Sequence, residues 1–499
     1  GVRQVVENAL PALAADTCLG LQSITLAAGH PPPPSWAQTV RNLTGATVPV
    51  RWVSDPLLAY VAEWPDGPSD RTADVAAAAT RLIESVPEPR VVLLENPAVG
   101  RHPLIGRGVA AACRTTGTRL VCHHHDFLVD GRWERWPEWQ ACGIDSLDQA
   151  LAAAVPTGPG VSHLTLSRRD AAWLAPRGPA AFCPNEVPRP ATPRLEEIAQ
   201  AREWLTQALG TEAPVWLLPC RLLRRKNAAE AVLLARLLAP DAIVATTGAA
   251  SAASEAPYAA AIAAAAKRGR WKLRCGLLAG AEAAGQPAPA VATLMAASAA
   301  VVITSLFEGF GLPVMEAAAL RLPCLARRQA CPEGLAPATA TAYDDIRVPR
   351  ALAGGASEQA RQEKAWARWR AVMPPELSRL LPEPPWWAGP GPLAFSRLTL
   401  PGQWEVLHAC QARGTAEALL ALNPELAAPA CPAPSAPAVP DPMPPAPAAV
   451  TLATALAGPP APSLDAELPS DEGNRALADR LAWANYYPLL WPGGDEPAD

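Results

Sequence analysis

A chain of 499 residues is too long for one ordinary core, and at roughly 100–200 residues per domain it predicts two or three folded units. Half of the residues are apolar and 18% are charged, which excludes a disordered chain, since that class lacks the apolar surface to offset chain entropy. The net charge of −5 argues against a nucleic-acid binder, which concentrates a basic field on one face. Arginine supplies nearly all the positive charge; the lysines are Lys226, Lys267, Lys272 and Lys364. The 11 cysteines are odd in number, scattered, and never in a Cys-x-x-Cys pair, so free thiols and a cytoplasmic location are expected. No apolar run reaches the ~18–20 residues of a membrane span, and the Ala-rich stretch near Ala259–Ala266 reads as a helix interior.

In chain order, Val2, Val5, Val6, Leu10 and Leu13 recur at helical spacing. A strand and a glycine turn normally precede such a helix in an α/β domain, so a strand upstream of Gly1 is expected. Arg90–Glu95 reads as a strand, Leu104–Cys113 as a helix and Thr118–Cys122 as the next strand, a βαβ unit whose right-handed crossover leaves both following loops on one sheet edge. His163–Leu166 and Arg168–Leu174 form a further strand and helix. After about residue 193 a second series begins: helix Leu195–Leu209, strand Val215–Pro219, helix Ala228–Leu238 and strand Ala242–Thr246. Strands Lys272–Leu277 and Ala300–Thr304, helix Pro313–Leu320 and strand Pro323–Ala326 continue it. Beyond Ala330 the pattern weakens, with helices expected over Glu358–Ala371 and Gln403–Leu420. Residues 427–462 turn to Pro and Ala, the composition of a semi-rigid linker, and Asn474–Leu490 carries apolar residues at helical spacing. The expected architecture is α/β: Rossmann-like domains over 1–193 and 194–426, each a parallel sheet covered by helices, then the linker and, within 463–499, a terminal helix docked on the body.

Two stretches carry the chemistry. Val301–Thr304 runs into Glu308-Gly309-Phe310-Gly311-Leu312-Pro313 and then a helix bearing Glu316. The loop meets a helix N-terminus, where unpaired N–H groups and the positive dipole end suit phosphate or sugar oxygens. Gly309 and Gly311 let the backbone approach a ligand without a Cβ in the way. Glu308 and Glu316 are acceptors only, suited to the hydroxyls of sugars and ribose, although each is also explicable as a surface charge or a complement to the helix dipole. The second stretch is Trp216-Leu-Leu-Pro-Cys-Arg221-Leu-Leu-Arg-Arg-Lys226-Asn227, again strand, loop and helix. Arg221 and Lys226 straddle the loop, with Arg224 and Arg225 adding charge, and such groups at a strand's carboxyl end suit a diphosphate. A solvated basic loop is the plainer alternative.

Arg221-x4-Lys226, followed some eighty residues later by Glu308-x7-Glu316 around Gly-Phe-Gly-Leu-Pro, resembles the donor half of family-four retaining glycosyltransferases of the GT-B fold. The resemblance covers about 215–330 firmly and 90–190 more loosely. It implies two doubly wound domains facing a cleft and transfer of a hexosyl group from a nucleoside-diphosphate sugar to an acceptor hydroxyl. Arg221 and Lys226 would bind the diphosphate, Glu316 the ribose, and Glu308 with the Gly309, Phe310, Gly311 and Leu312 backbone the sugar. No metal and no cofactor beyond the donor substrate would be needed, because the cations neutralise the leaving group.

The N-terminal candidates follow a strand: Cys122-His123-His124-His125-Asp126. The resemblance implies that a histidine here reaches the donor sugar, and His125, next to Asp126, is the choice. A chelating set of Cys122, His123, His125 and Asp126, serving a metal-dependent hydrolase, is the rival, although alternate strand residues point to opposite faces, so only part of it can meet one ion. A non-catalytic nucleotide-binding protein is the other alternative. Asn96, after the preceding strand, is a candidate sugar or acceptor contact or simply a turn residue before Pro97.

Overall fold

The computed structural model describes residues 2–16, 19–45, 48–128, 135–185, 192–248, 256–306, 308–328, 340–372, 375 and 391–426. The linker and terminal-helix expectations for 427–462 and 463–499 lie outside the described residues. Residues 2–185 gather into one compact unit, and residues 192–371 with 391–426 into another. Among the described residues no helix is long and apolar enough to cross a membrane.

In the first unit, β1 (Ile24–Ala28) and β2 (Val50–Ser54) pair in parallel, joined through helix Pro34–Thr44. A second sheet holds β3 (Val91–Glu95), β4 (Arg119–His124), β5 (Val161–Thr165) and β6 (Ala180–Phe182), side by side in that order and all parallel. Period-two alternation sorts β4 between two faces. Leu120 and Cys122 pack against Val109, Ala110, Ala112 and Cys113 of helix Ile105–Thr115 and Ala79 and Ile83 of helix Thr72–Glu84. Val121 faces the other way, onto Leu13 of helix Val2–Ala15, Leu164 and Cys183. Both faces are therefore covered, which is why Leu120, Val121 and Cys122 in the middle of β4 are apolar without alternation.

The second unit contains a six-stranded sheet of β7 (Val215–Arg221), β8 (Ile243–Gly248), β9 (Leu273–Arg274), β10 (Ala300–Ile303), β11 (Cys324–Arg327) and β12 (Ala340–Tyr343). Its spatial order is β12-β11-β10-β7-β8-β9, all parallel. From β7 the chain winds one way to β9, then crosses back and winds the other way from β10, so the order reverses between β7 and β10. The core divides by strand parity: Trp216, Leu218 and Val302 lie in one apolar cluster, and Val215, Leu217, Val301 and Ile303 in the other. This is the doubly wound α/β sheet expected of the region.

Two local expectations need correction. Lys272–Leu277 is not one strand: β9 has two residues, and Gly276, with φ 69°, turns the chain into helix Leu277–Ala283. Gln403–Leu420 is two helices, Leu400–Ala409 and Arg413–Leu422, separated by a turn in which Gln411 and Ala412 donate to His408 and Ala409. The first starts early because the Thr399 hydroxyl caps it and Pro401 occupies its first turn. β1, β2, β6 and β12 have no counterpart in the sequence reading; each is four or five residues or fewer and half-exposed in part.

Candidate functional site

Where the order of an open parallel sheet reverses, the loops leaving the two central strands run apart, and that is where such sheets bind ligands. In the second unit those are the loops after β7 and β10, which hold the two stretches singled out from sequence. They are sewn together. Leu306 N–H donates to the Arg225 carbonyl at 2.8 Å, and the buried Thr304 hydroxyl donates to the Lys226 carbonyl at 2.7 Å and reaches the Asn227 carbonyl at 3.1 Å.

Side chains close the same junction. Lys226 Nζ donates to Glu308 Oε1, and Arg225 Nη1 donates to Glu308 Oε2 at 3.1 Å. The ion cluster is largely buried, with Lys226 10% and Glu308 9% exposed at the side chain, so water screens it weakly. Burial alone would raise the Glu308 pKa; the charges of Lys226 and Arg225 outweigh it and hold the pKa at about 2. Cys220, just before the loop, lies within electrostatic reach of Lys226, Glu308, Arg225 and Arg221, and burial pushes its thiol up to about 12. Arg221 is exposed at the end of β7, its stem lying over Gly248 of β8, where an added Cβ would stand 2.9 Å from Arg221 Cγ.

Beneath this cluster lies a buried polar network that the sequence reading missed. Asn227, left-handed at φ 51°, heads helix Ala228–Leu238 directly after Lys226, and its amide donates to Glu230 Oε2 at 2.8 Å. Glu230, wholly buried, accepts from both Arg327 Nε and Nη2 and from the Tyr343 hydroxyl at 2.7 Å, while Arg327 also pairs with Asp345. Burial would lower the Arg327 pKa, but Glu230, Tyr343 and Asp345 drive it upward. Arg224, expected to add charge to the loop, instead turns inward to Asn227 Oδ1 and the Leu398 carbonyl, and burial lowers its pKa. The only sequence signal was charge in apolar runs: Glu230 inside a buried helix and Arg327 closing a buried strand.

Gly309 and the buried Phe310 follow Glu308, and Gly311, at φ 81°, caps helix Leu312–Ala319 with Pro313 in its first turn. That backbone conformation belongs to glycine, so the loop geometry depends on it. Glu316 is half-buried on this helix with no ion-pair partner among the described residues, and burial raises its pKa. Lys226 and Glu308 thus meet, with Arg225 as the third member, while Arg221 closes β7 ahead of the loop and Glu316 stands on the helix that follows Glu308.

In the first unit, β3 and β4 bring their carboxyl ends together with Glu95 opposite His123. Asn96 has a left-handed backbone at φ 55°; its N–H donates to the His123 carbonyl at 2.7 Å, and its Oδ1 accepts from the His125 and Asp126 N–H groups at 3.2 and 3.1 Å. Asn96 is therefore a brace for the histidine loop. Alternation divides the histidines as expected. His124 points with Cys122 to one face, shares a 3.0 Å hydrogen bond with His163 and stacks on Phe127. His123 and His125 point to the other, where the carboxylate that meets them is Glu95 rather than Asp126. The rival chelating set is corrected accordingly: Cys122 is on the other face, and Asp126 lies past the strand end, where Asn96 holds its backbone. His125 Nε2 is 2.9 Å from Glu95 Oε2. Glu95 was legible only as the acidic last residue of an apolar strand.

Comparison with known proteins yields no matching family model. No curated protein matches either. Solved structures do match in chain path. The chain is similar to HepE of Anabaena, solved in complex with UDP and glucose, at 15% identity over 69% of this chain and 82% of that one, with a TM-score of 0.47. It is similar to sucrose-phosphate synthase of Thermosynechococcus elongatus at 15% identity over 84% and 92%, TM-score 0.44. A glycosyltransferase from Rickettsia africae matches at 12% identity over 68% and 80%, also with a TM-score of 0.44. At these scores the likenesses carry no weight in assigning chemistry, which rests on the side chains.

Proposed function

We propose that this chain is a retaining GT-B glycosyltransferase that moves a hexosyl group from a nucleoside-diphosphate sugar to an acceptor hydroxyl. The observation that supports it most is the Lys226–Glu308–Arg225 cluster at the reversal point of the second unit's sheet, beside a glycine-capped helix N-terminus. Such a place suits a diphosphate, and preorganised cations aimed at the charge that grows on a leaving group supply a large share of transition-state stabilisation. In this proposal Lys226 and Arg221 hold the diphosphate, with Arg225 beside them. Glu308 and the Gly309–Leu312 backbone hold the sugar, and Glu316 accepts from the ribose hydroxyls.

A screen of sugar nucleotides by thermal shift, followed by transfer of radiolabelled sugar in EDTA, tests the proposal. Binding and turnover without added metal are expected. Glu316→Ala is expected to lower kcat/KM about a hundredfold, the upper end for loss of a hydrogen-bonded charged group. Binding of a nucleotide with no transfer to any acceptor would identify a binding protein instead.

A further inference from the structure

The two groups of potential ligands flanking β4 are chemically unequal. Cys122, His124 and His163 lie deep in the unit. Burial pushes the Cys122 thiol far up, and His124 Nε2 and His163 Nδ1 share a 3.0 Å hydrogen bond that already takes up one ring nitrogen of each.

Glu95, His123 and His125 are different. Glu95 Oε2 stands 2.9 Å from His125 Nε2 and 3.2 Å from His123 Nδ1, and the two nitrogens are 3.4 Å apart. A tetrahedral ion with bonds of about 2.0–2.1 Å sets its ligand atoms about 3.3–3.4 Å apart, so these three atoms approximate one face of such a tetrahedron. Glu95 Oε2 is buried and, despite that proximity, accepts no well-angled hydrogen bond. The hydrogen bonds that stand in place of an ion are long, with His123 Nδ1 3.3 Å from Glu95 Oε1 and His125 Nε2 3.4 Å from His123 Nδ1. A buried carboxylate calls for a positive charge beside it. One divalent ion would take all three lone pairs at once and leave the imidazole protons on His123 Nε2 and His125 Nδ1.

We propose that Glu95 Oε2, His123 Nδ1 and His125 Nε2 form a binding site for a single divalent transition ion of the zinc class, with the fourth position left to a small oxygen ligand such as water. Two imidazoles and a carboxylate are the donor set that suits such ions. The side chains of Glu95, His123 and His125 are 16%, 4% and 7% exposed, so the site is largely shielded from bulk water. Asn96 holds the backbone that carries His125, which fixes the geometry before any ion arrives. The site belongs to the first unit and does not rest on glycosyl transfer.

The full chain, freed of metal with a chelator and dialysed, is titrated with Co(II) alone and then with Zn(II). The expected result is one equivalent of Co(II), visible d–d bands, no near-ultraviolet thiolate charge transfer, and displacement by Zn(II). Glu95→Gln and His125→Ala, checked as folded by circular dichroism, are expected to weaken binding by at least about a hundredfold, since loss of a group merely supporting a ligand costs 10–100-fold. Cys122→Ser is expected to leave it unchanged. Absence of stoichiometric Co(II) binding by the unaltered protein overturns the proposal without reference to any variant. So does a thiolate band that Cys122→Ser abolishes, or binding equally strong in the Glu95 and His125 variants.

Discussion

On the proposed function, Lys226→Ala is expected to lower sugar transfer by a hundredfold to a thousandfold, the typical loss when one preorganised group aimed at developing charge is removed. The ammonium is held in place at both ends: its backbone carbonyl accepts from Thr304, and its Nζ is paired with Glu308 in a poorly screened setting. A cation that needs no reorganisation as charge builds on the leaving group acts mainly on kcat, so the loss is expected there rather than in KM. Lys226→Arg is expected to restore little, because a planar fork on a different stem does not reproduce a compact point charge. Initial rates with a radiolabelled sugar nucleotide, alongside a melting curve for each variant, measure this. Near-normal turnover in a folded Lys226→Ala protein would remove the lysine from the mechanism.

Arg327→Ala is expected to destabilise the second unit by about 3–5 kcal/mol, the range for breaking a buried ion pair from one side. The substitution leaves Glu230, which is wholly buried, with its negative charge facing the Tyr343 hydroxyl and the Asn227 amide but no cation in contact. Asp345 loses a partner as well. At roughly 2–4 °C per kcal/mol for a unit of this size, a melting-temperature drop of about 10 °C follows. Urea denaturation is the cleaner measurement: a fall in the midpoint at unchanged slope is expected, and an unaltered midpoint would mean that the network is replaceable by solvent. The double variant Arg327→Met with Glu230→Met is expected to recover part of the loss, since apolar groups of similar volume remove the stranded charge.

Most of the α/β pattern was legible because buried parallel strands and amphipathic helices leave strong periodic signals. Helices Leu195–Leu209 and Ala228–Leu238 match their expected bounds, and β4 and β10 fall within two residues of theirs. Short or half-exposed strands such as β1 and β2 carry no such signal, and a turn as brief as 410–412 does not interrupt helical spacing. That Lys226 and Glu308 share one site was legible because both follow neighbouring central strands of one sheet at their carboxyl ends, whereas their direct ion pair was not. Glu95 and Arg327 were not legible, because their partners are set by strand register and by a helix crossing, quantities that no local pattern encodes. Arg224 and Arg225 are neighbours in sequence yet turn opposite ways, one to the interior and one to Glu308, and composition alone gives both the same reading.

The internal pairing of Lys226 has a consequence for ligand entry on the proposed function. The protein supplies Lys226 with its own counterion, so an incoming diphosphate displaces a tethered carboxylate instead of adding to a bare cation. Arrival is then an exchange of anions in which the local charge changes less than the ligand's own. Affinity for the nucleotide alone is weakened by the competition, and Glu308, once displaced, is released toward the sugar that entered with it.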